Sequence, residues 1–112
     1  MPRRVVELGV RGRIGEEELE ELLSGFEEVL RRGVTERLRR RLRELDILVE
    51  GEVAEDGTLR VRVDVSARGL PVPPLTYDEV LAEAIREAEG WLESELRARV
   101  AGRGGGKAHG DA

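Results

Sequence analysis

The feature that most constrains this chain is a pair of alternating apolar segments on either side of the sequence Glu55-Asp56-Gly57. Apolar residues take alternate positions in both segments, namely Ile47, Val49 and Val53 before that sequence and Leu59, Val61, Val63 and Val65 after it. A period of two is typical of strands with one buried face, and Asp-Gly between two strands indicates a tight turn. The sequence therefore predicts a β-hairpin.

The faces of these two strands decide the length of the turn between them. A two-residue turn would pair Val53 with Arg60 and would place charged side chains on the apolar face. A three-residue loop pairs Val53 with Leu59 instead, and a slip of one residue reverses every side chain of a strand. We therefore predict a type I turn at Glu55-Asp56, followed by Gly57 in the left-handed conformation.

The segment before the hairpin has a helical period. From Glu16 onward, apolar residues recur at steps of three and four, at Leu19, Leu22, Leu23, Phe26, Val29 and Leu30. Gly33 fits the end of this helix, and Thr35 fits the N-cap of a short second helix with Leu38, Leu42 and Leu45 on one face. One long helix bent at Gly33 fits the same pattern, so both alternatives stay open.

A second helical segment follows a proline-bearing link. The sequence Thr76-Tyr77-Asp78-Glu79 is a capping box, in which Thr76 caps the helix and Glu79 reaches back to it, and Leu75 is placed to pack on Val80. The apolar positions that follow predict a helix that ends near Val100.

These elements predict an α+β fold. A short strand over residues 6–10 precedes the first helix, so the predicted order is β-α-(short α)-β-β-α. Helices and an antiparallel hairpin of this length form a two-layer sandwich with the helices packed on one sheet face. We assign residues 1–101 to this single domain and the glycine-rich residues 102–112 to a disordered tail.

Residues that could perform chemistry are scarce. The chain has no cysteine and a single histidine, His109, which lies in the glycine-rich tail. No phosphate-binding loop or nucleophile motif is present in the sequence. We therefore predict that the protein is not an enzyme and has no catalytic, cofactor-binding or metal-binding residue and no small-molecule substrate. No apolar run approaches the length of a membrane span, so we expect no membrane association and a cytoplasmic location.

The strongest charge feature is a basic run from Arg31 to Arg43. It contains one acid, Glu36, and seven arginines, namely Arg31, Arg32, Arg37, Arg39, Arg40, Arg41 and Arg43. Such a patch on a chain of net charge −5 binds RNA phosphates or an acidic partner, or else its arginines pair with glutamates of other helices. The lack of aromatic stacking platforms disfavours RNA, since the three aromatic residues fall on core stripes or in a cap.

From about Leu38 to Leu96 the chain resembles an archaeal domain family of unknown function that is often encoded near prefoldin beta. The matching segments are Leu42–Ile47, Asp56–Val65 and Thr76–Leu96. More distantly, the order strand, helix, hairpin, helix is similar to that of the small dimerising subunit of the KEOPS tRNA-modification complex. The resemblances imply an informational or proteostasis setting and a role in assembly.

The absence of Asn and Gln points to a thermophilic source.

The sequence thus favours an accessory interaction protein that binds another protein or a second copy of itself. Its expected setting is translation, tRNA modification or proteostasis. A KEOPS-type dimerising subunit is one alternative, and RNA or tRNA binding through the basic run is another. No cofactor is expected for any of these functions.

Overall fold

The computed structural model describes residues 3–11 and 14–110 of the 112-residue chain. Three strands and two helices follow one another in the order β1 (Arg3–Arg11), α1 (Glu16–Leu38), β2 (Leu42–Val53), β3 (Thr58–Gly69) and α2 (Tyr77–Gly110). A single turn of 3-10 helix, Arg39–Arg41, joins α1 to β2. The predicted α+β class is therefore confirmed.

The three strands form one antiparallel sheet in which β3 is the central strand. β2 and β3 form the predicted hairpin in the predicted register, with Val53 opposite Leu59. Gly57 has a φ of 88°, as expected for a left-handed residue, and its N–H donates to the Ala54 carbonyl at 2.9 Å. β1 completes the sheet on the other side of β3.

The core fills the space between one face of this sheet and the two helices. The odd-numbered residues of β3 from Leu59 to Ala67 are all buried. They belong to one apolar cluster with buried residues of both helices, namely Leu22, Phe26, Leu30, Val34 and Leu38 of α1 and Leu81, Ala84, Ala88, Leu92 and Leu96 of α2. Burial of these periodic positions is what holds the helices on the sheet.

The two helices lie side by side and antiparallel, and ion pairs connect them near both ends of their contact. Arg37, near the end of α1, lies 2.9 Å from a carboxylate oxygen of Glu87. At the opposite end, Arg99 of α2 lies 3.3 Å from Glu18. Each pair is partly exposed, so we regard these contacts as orienting the helices rather than as the main source of stability.

The predicted short second helix is wrong, and the alternative of one helix that runs through Gly33 is confirmed. α1 continues through Gly33 and Thr35 without a break, and Leu42 and Leu45 belong to β2. Apolar steps of three and four fit a helix here, but Leu45 also begins the alternation of the hairpin and lies opposite Ala67. Pairing with β3 over the full length of β2 therefore outweighs the local helical pattern.

The predicted capping box at the start of α2 is confirmed. The backbone N–H of Thr76 donates to Glu79 Oε1 at 2.8 Å, and the backbone N–H of Glu79 donates to Thr76 Oγ1 at 3.1 Å. These reciprocal hydrogen bonds satisfy backbone donors that have no partner within a helix, and so they determine where α2 begins.

The end of α2 differs from the prediction. The helix extends to Gly110 instead of ending near Val100, and it therefore includes most of the segment predicted as a tail. Glycine costs about 1 kcal/mol per residue in a helix relative to alanine, which weakens a helix without forbidding it. The division into a domain at 1–101 and a tail at 102–112 stays a prediction, and residues 111 and 112 lie outside the described residues.

The other face of the sheet is polar. β2 presents Leu48 there together with an acidic stripe, which consists of Glu44, Asp46, Glu50 and Glu52. The neighbouring positions of β3 are largely basic, with Arg62 opposite Glu50 and Arg60 opposite Glu52. Opposite charges on paired strands stabilise a sheet modestly.

Candidate interaction surface

The structure divides the seven predicted arginines into two groups, of which the first is paired within the protein. Arg31 and Arg32 lie one helical turn from Glu27 and Glu28, at nitrogen–oxygen distances of 3.0 and 3.6 Å. Arg37 pairs across to α2, as described above. These three residues behave as ordinary surface ion pairs.

The second group lies where α1 gives way to β2, and we call it the arginine turn. Its members are Arg39, Arg40, Arg41 and Arg43, which are all exposed. Within the described part of the chain, none of the four forms an ion pair with a carboxylate. Of the seven arginines in the predicted run, these four are therefore the ones whose charge no carboxylate of the described residues neutralises.

Side-chain hydrogen bonds to the backbone hold part of the arginine turn in place. Arg39 Nε donates to the Glu36 carbonyl at 3.1 Å. A terminal nitrogen of Arg43 donates to the Arg40 carbonyl at 2.8 Å. A guanidinium has five N–H donors, so both side chains keep most of their donors free for another ligand.

The backbone of the arginine turn is strained at Arg39. This residue has φ 50° and ψ −125°, and no other non-glycine residue in the described part of the chain has a positive φ. Such a conformation costs about 1–3 kcal/mol for a residue with a Cβ and persists only where the surroundings impose it. The constraint here includes the hydrogen bond from the Arg39 N–H to the Thr35 carbonyl, which closes α1.

A buried tyrosine anchors the other end of the arginine turn. The Arg41 carbonyl accepts a hydrogen bond from the Leu70 N–H at 2.8 Å. The Tyr77 hydroxyl donates to the Leu70 carbonyl at 2.7 Å and lies 3.3 Å from the Arg41 carbonyl oxygen. A Cβ at Gly69 would lie 2.5 Å from that hydroxyl and would collide with the Arg41 carbonyl. Gly69 therefore permits the close approach of three chain segments.

Two exposed leucines lie in the segment anchored to this turn. Leu70 keeps 48% of its surface exposed and Leu75 keeps 45%. Leu75 was expected to pack on Val80, but its exposure shows that this packing is incomplete. We refer to the arginine turn together with these two leucines as the basic–apolar end of the molecule. Sequence reasoning missed the leucines because the prolines around them indicate only an extended link.

A separate set of charged residues lies on the polar face of the sheet. Arg3 Nε and a terminal Arg3 nitrogen donate to the two carboxylate oxygens of Asp64 at 2.9 and 2.6 Å. These hydrogen bonds from Arg3 hold the pKa of Asp64 below its ordinary value. In the turn of the hairpin, the backbone N–H of Thr58 likewise lowers the pKa of Asp56. Both carboxylates are thus fixed as anions by structural partners.

The same face has an open depression of about 270 Å³, lined by Glu7, Glu50, Gly51, Glu52, Arg60 and Arg62. It contains charges of both signs on paired strands and is open to solvent. In the described part of the chain, no cluster of three or more His, Cys, Asp or Glu side chains is arranged to hold a metal ion. No helix among the described residues is long and apolar enough to cross a membrane.

Comparison with known proteins bears on the fold. A crystal structure of a protein from Thermococcus onnurineus NA1 is similar to this chain, with a TM-score of 0.66 over 88% of this chain and 93% of that one. The two sequences are 23% identical, so the likeness shows a shared fold and nothing about activity. No family model matches the chain, and no curated protein matches it.

Proposed function

We propose that this is a small accessory protein without catalytic activity, which acts by binding another protein. The observation that carries the proposal is the exposure of its large apolar side chains. Val5, Leu48, Val53, Leu70 and Leu75 are between 42% and 54% exposed. Single exposed apolar residues are normal, but grouped ones mark interaction surfaces.

Four of these five side chains fall into two groups. Val5 and Leu48 both lie opposite Asp64 in the same row of the polar sheet face. Leu70 and Leu75 lie at the basic–apolar end. This grouping supports an interaction role more strongly than the number of exposed side chains does.

The edges of the sheet offer a second kind of contact. Among the described strands, β1 and β2 each pair only with β3. Each therefore has one edge whose backbone N–H and C=O groups are not used within the sheet, and such an edge accepts an additional strand. The added strand would come from a partner protein or from a second copy of this chain.

We further propose that the partner belongs to an informational assembly in an archaeal cell, concerned with translation, tRNA modification or proteostasis. The resemblances to the archaeal family and to the KEOPS subunit support this setting, and the archaeal origin of the structural neighbour is consistent with it. Self-association of the KEOPS type is one form of the same function.

Two measurements on the full chain test the proposal. Multi-angle light scattering reports its mass in solution, and affinity purification of the tagged chain from its native host identifies bound protein and RNA. We expect a dimer or a protein recovered in stoichiometric amount. A strict monomer that recovers no protein contradicts the proposal.

RNA binding is the second candidate function, because the four members of the arginine turn have no acidic partner in the described part of the chain. The net charge of −5 and the burial of Phe26 and Tyr77 weigh against it, because neither of these two rings is exposed for stacking on a base. Retention of RNA at low salt that is lost in a variant with Arg39, Arg40 and Arg41 changed to Glu would favour RNA.

A further inference from the structure

We propose that the basic–apolar end is a docking site for an acidic segment of a partner protein that also carries apolar side chains. This inference rests on the proposed function and adds to it the surface and the chemistry of the partner. Three features of the basic–apolar end support it, namely its charge, its backbone conformation and its exposed leucines.

The first feature is the positive charge of the arginine turn. The four guanidinium groups of the arginine turn belong to residues within a five-residue stretch of a chain whose net charge is −5. Carboxylates pair with Arg31 and Arg32 on the preceding helix, whereas no carboxylate among the described residues pairs with the four arginines of the turn. Guanidinium groups bind carboxylates through two parallel hydrogen bonds. A partner segment rich in Glu or Asp would supply carboxylates for these four arginines, which have no carboxylate partner among the described residues.

The second feature is the backbone conformation of the arginine turn. Arg39 is held at a positive φ, and the Arg41 carbonyl is held by the Leu70 N–H and lies beside the Tyr77 hydroxyl. The backbone that carries the arginines is therefore fixed before a ligand arrives. A fixed backbone reduces the entropy lost on binding, which distinguishes this turn from arginines on a mobile segment.

The third feature is the exposure of leucine side chains beside the arginine turn. The hydrogen bond to Arg41 places the Leu70 backbone directly beside the arginine turn, and about half of the Leu70 surface is exposed. Arginine together with buried apolar contacts is typical of protein interfaces. A sugar–phosphate backbone offers no comparable apolar partner for a leucine. The combination therefore favours a protein segment over RNA.

The test measures binding of a short fluorescein-labelled peptide of glutamate and leucine to the full chain by fluorescence anisotropy. We expect saturable binding that weakens as salt is added. The double variant Arg40→Ser/Arg41→Ser should raise the Kd about tenfold. The matched control Arg31→Ser/Arg32→Ser removes the same charge from ion-paired positions and should change the Kd less than about twofold.

A second pair of measurements examines the apolar part of the site. The variant Leu70→Ser/Leu75→Ser should weaken binding of the glutamate–leucine peptide several-fold but leave binding of a polyglutamate peptide unchanged. All the substituted side chains are exposed, so melting curves followed by circular dichroism should stay close to that of the parent.

Three outcomes would overturn the inference. These are no binding of the peptide by the parent, equal Kd values for the two arginine variants, or tighter binding of an RNA hairpin than of the peptide. If Arg40→Ser/Arg41→Ser still recovers the parent's protein partner, the docking site is wrong while the proposed function stands. If the parent is a monomer that recovers no protein, the proposed function itself fails.

Discussion

The indole ring of Trp91 in α2 occupies the space that a side chain at Gly25 of α1 would fill. A Cβ built on Gly25 would lie 2.8 Å from Cζ2 and 3.2 Å from Cζ3 of that ring. Glycine costs about 1 kcal/mol in the middle of a helix. Here the absence of a side chain is what lets the tryptophan pack between the helices.

Replacement of Gly25 by alanine should therefore destabilise the protein. We expect Gly25→Ala to lower the free energy of unfolding by about 1–3 kcal/mol, because the added methyl group displaces the ring. Gly90→Ala is the matched control, since nothing lies within 4 Å of a Cβ at Gly90. It should raise the same free energy by about 0.5–1 kcal/mol. Urea unfolding measures both effects.

A double-mutant cycle isolates this contact. In a Trp91→Ala background, Gly25→Ala should no longer destabilise the protein, because the atoms that it displaces are gone. An equal loss of stability in both backgrounds would show that the cost has a source other than the indole ring.

The hairpin turn gives a second prediction. Gly57 has a φ of 88°, which a β-branched residue adopts only with strain, so Gly57→Val should lower the free energy of unfolding by about 1–2 kcal/mol. Gly57→Asn should cost less, since asparagine tolerates positive φ. A valine variant that melts at the same temperature as the parent would contradict the turn assignment.

The ion pair between Arg3 and Asp64 predicts a dependence of stability on pH. The pKa of Asp64 is lowered in the folded protein. The ionised carboxylate therefore contributes to the stability of the folded state at pH values above the unfolded pKa, about 3.9. This contribution is lost as the pH falls from there through the folded pKa. Asp64→Asn should make the decline in stability below about pH 4 shallower. The measurement is the urea midpoint as a function of pH.

The cause of this shift can be tested separately. Arg3→Gln removes the guanidinium donors to Asp64. It should make the loss of stability at acid pH shallower, to a similar extent as Asp64→Asn. The double variant should add little to either single change. Some loss of stability at acid pH is expected to remain in all three variants, because the Thr58 N–H also lowers the pKa of Asp56.

The strain at Arg39 gives a fourth prediction. Arg39→Gly and Arg39→Ala both remove the guanidinium, but only glycine adopts the positive φ without strain. We expect the glycine variant to exceed the alanine variant in free energy of unfolding by about 1 kcal/mol. Thermal melts of the two variants provide the comparison, and an alanine variant as stable as the glycine variant would argue against a strained backbone.

The hairpin was predictable from the sequence because side-chain alternation makes its register nearly unique. The pairing of Val53 with Leu59 follows from the burial of one face, and the capping box at Thr76 and Glu79 follows from local hydrogen bonding alone. The region between Gly33 and Leu45 was not predictable in the same way. Its leucine spacing fits a helix and a strand equally, and the choice depends on pairing with β3, which is remote in sequence.

The candidate site was predictable only in outline. The seven arginines of the basic run are visible in the sequence, but the pairing of Arg37 with Glu87 depends on where α2 packs. The role of Gly69 and the exposure of Leu70 and Leu75 depend on the approach of three separate segments. No periodic pattern in the sequence signals such an approach.

The acidic stripe on β2 limits how this protein can assemble with itself. Over residues 44–52, an antiparallel pairing of two β2 edges about a two-fold axis would make the acids of one copy face acids or Leu48 of the other. Repulsion between like charges therefore discourages this edge from templating an identical strand. The acidic stripe therefore selects against a symmetric contact between two β2 edges, while each edge stays open to a different strand that bears basic residues.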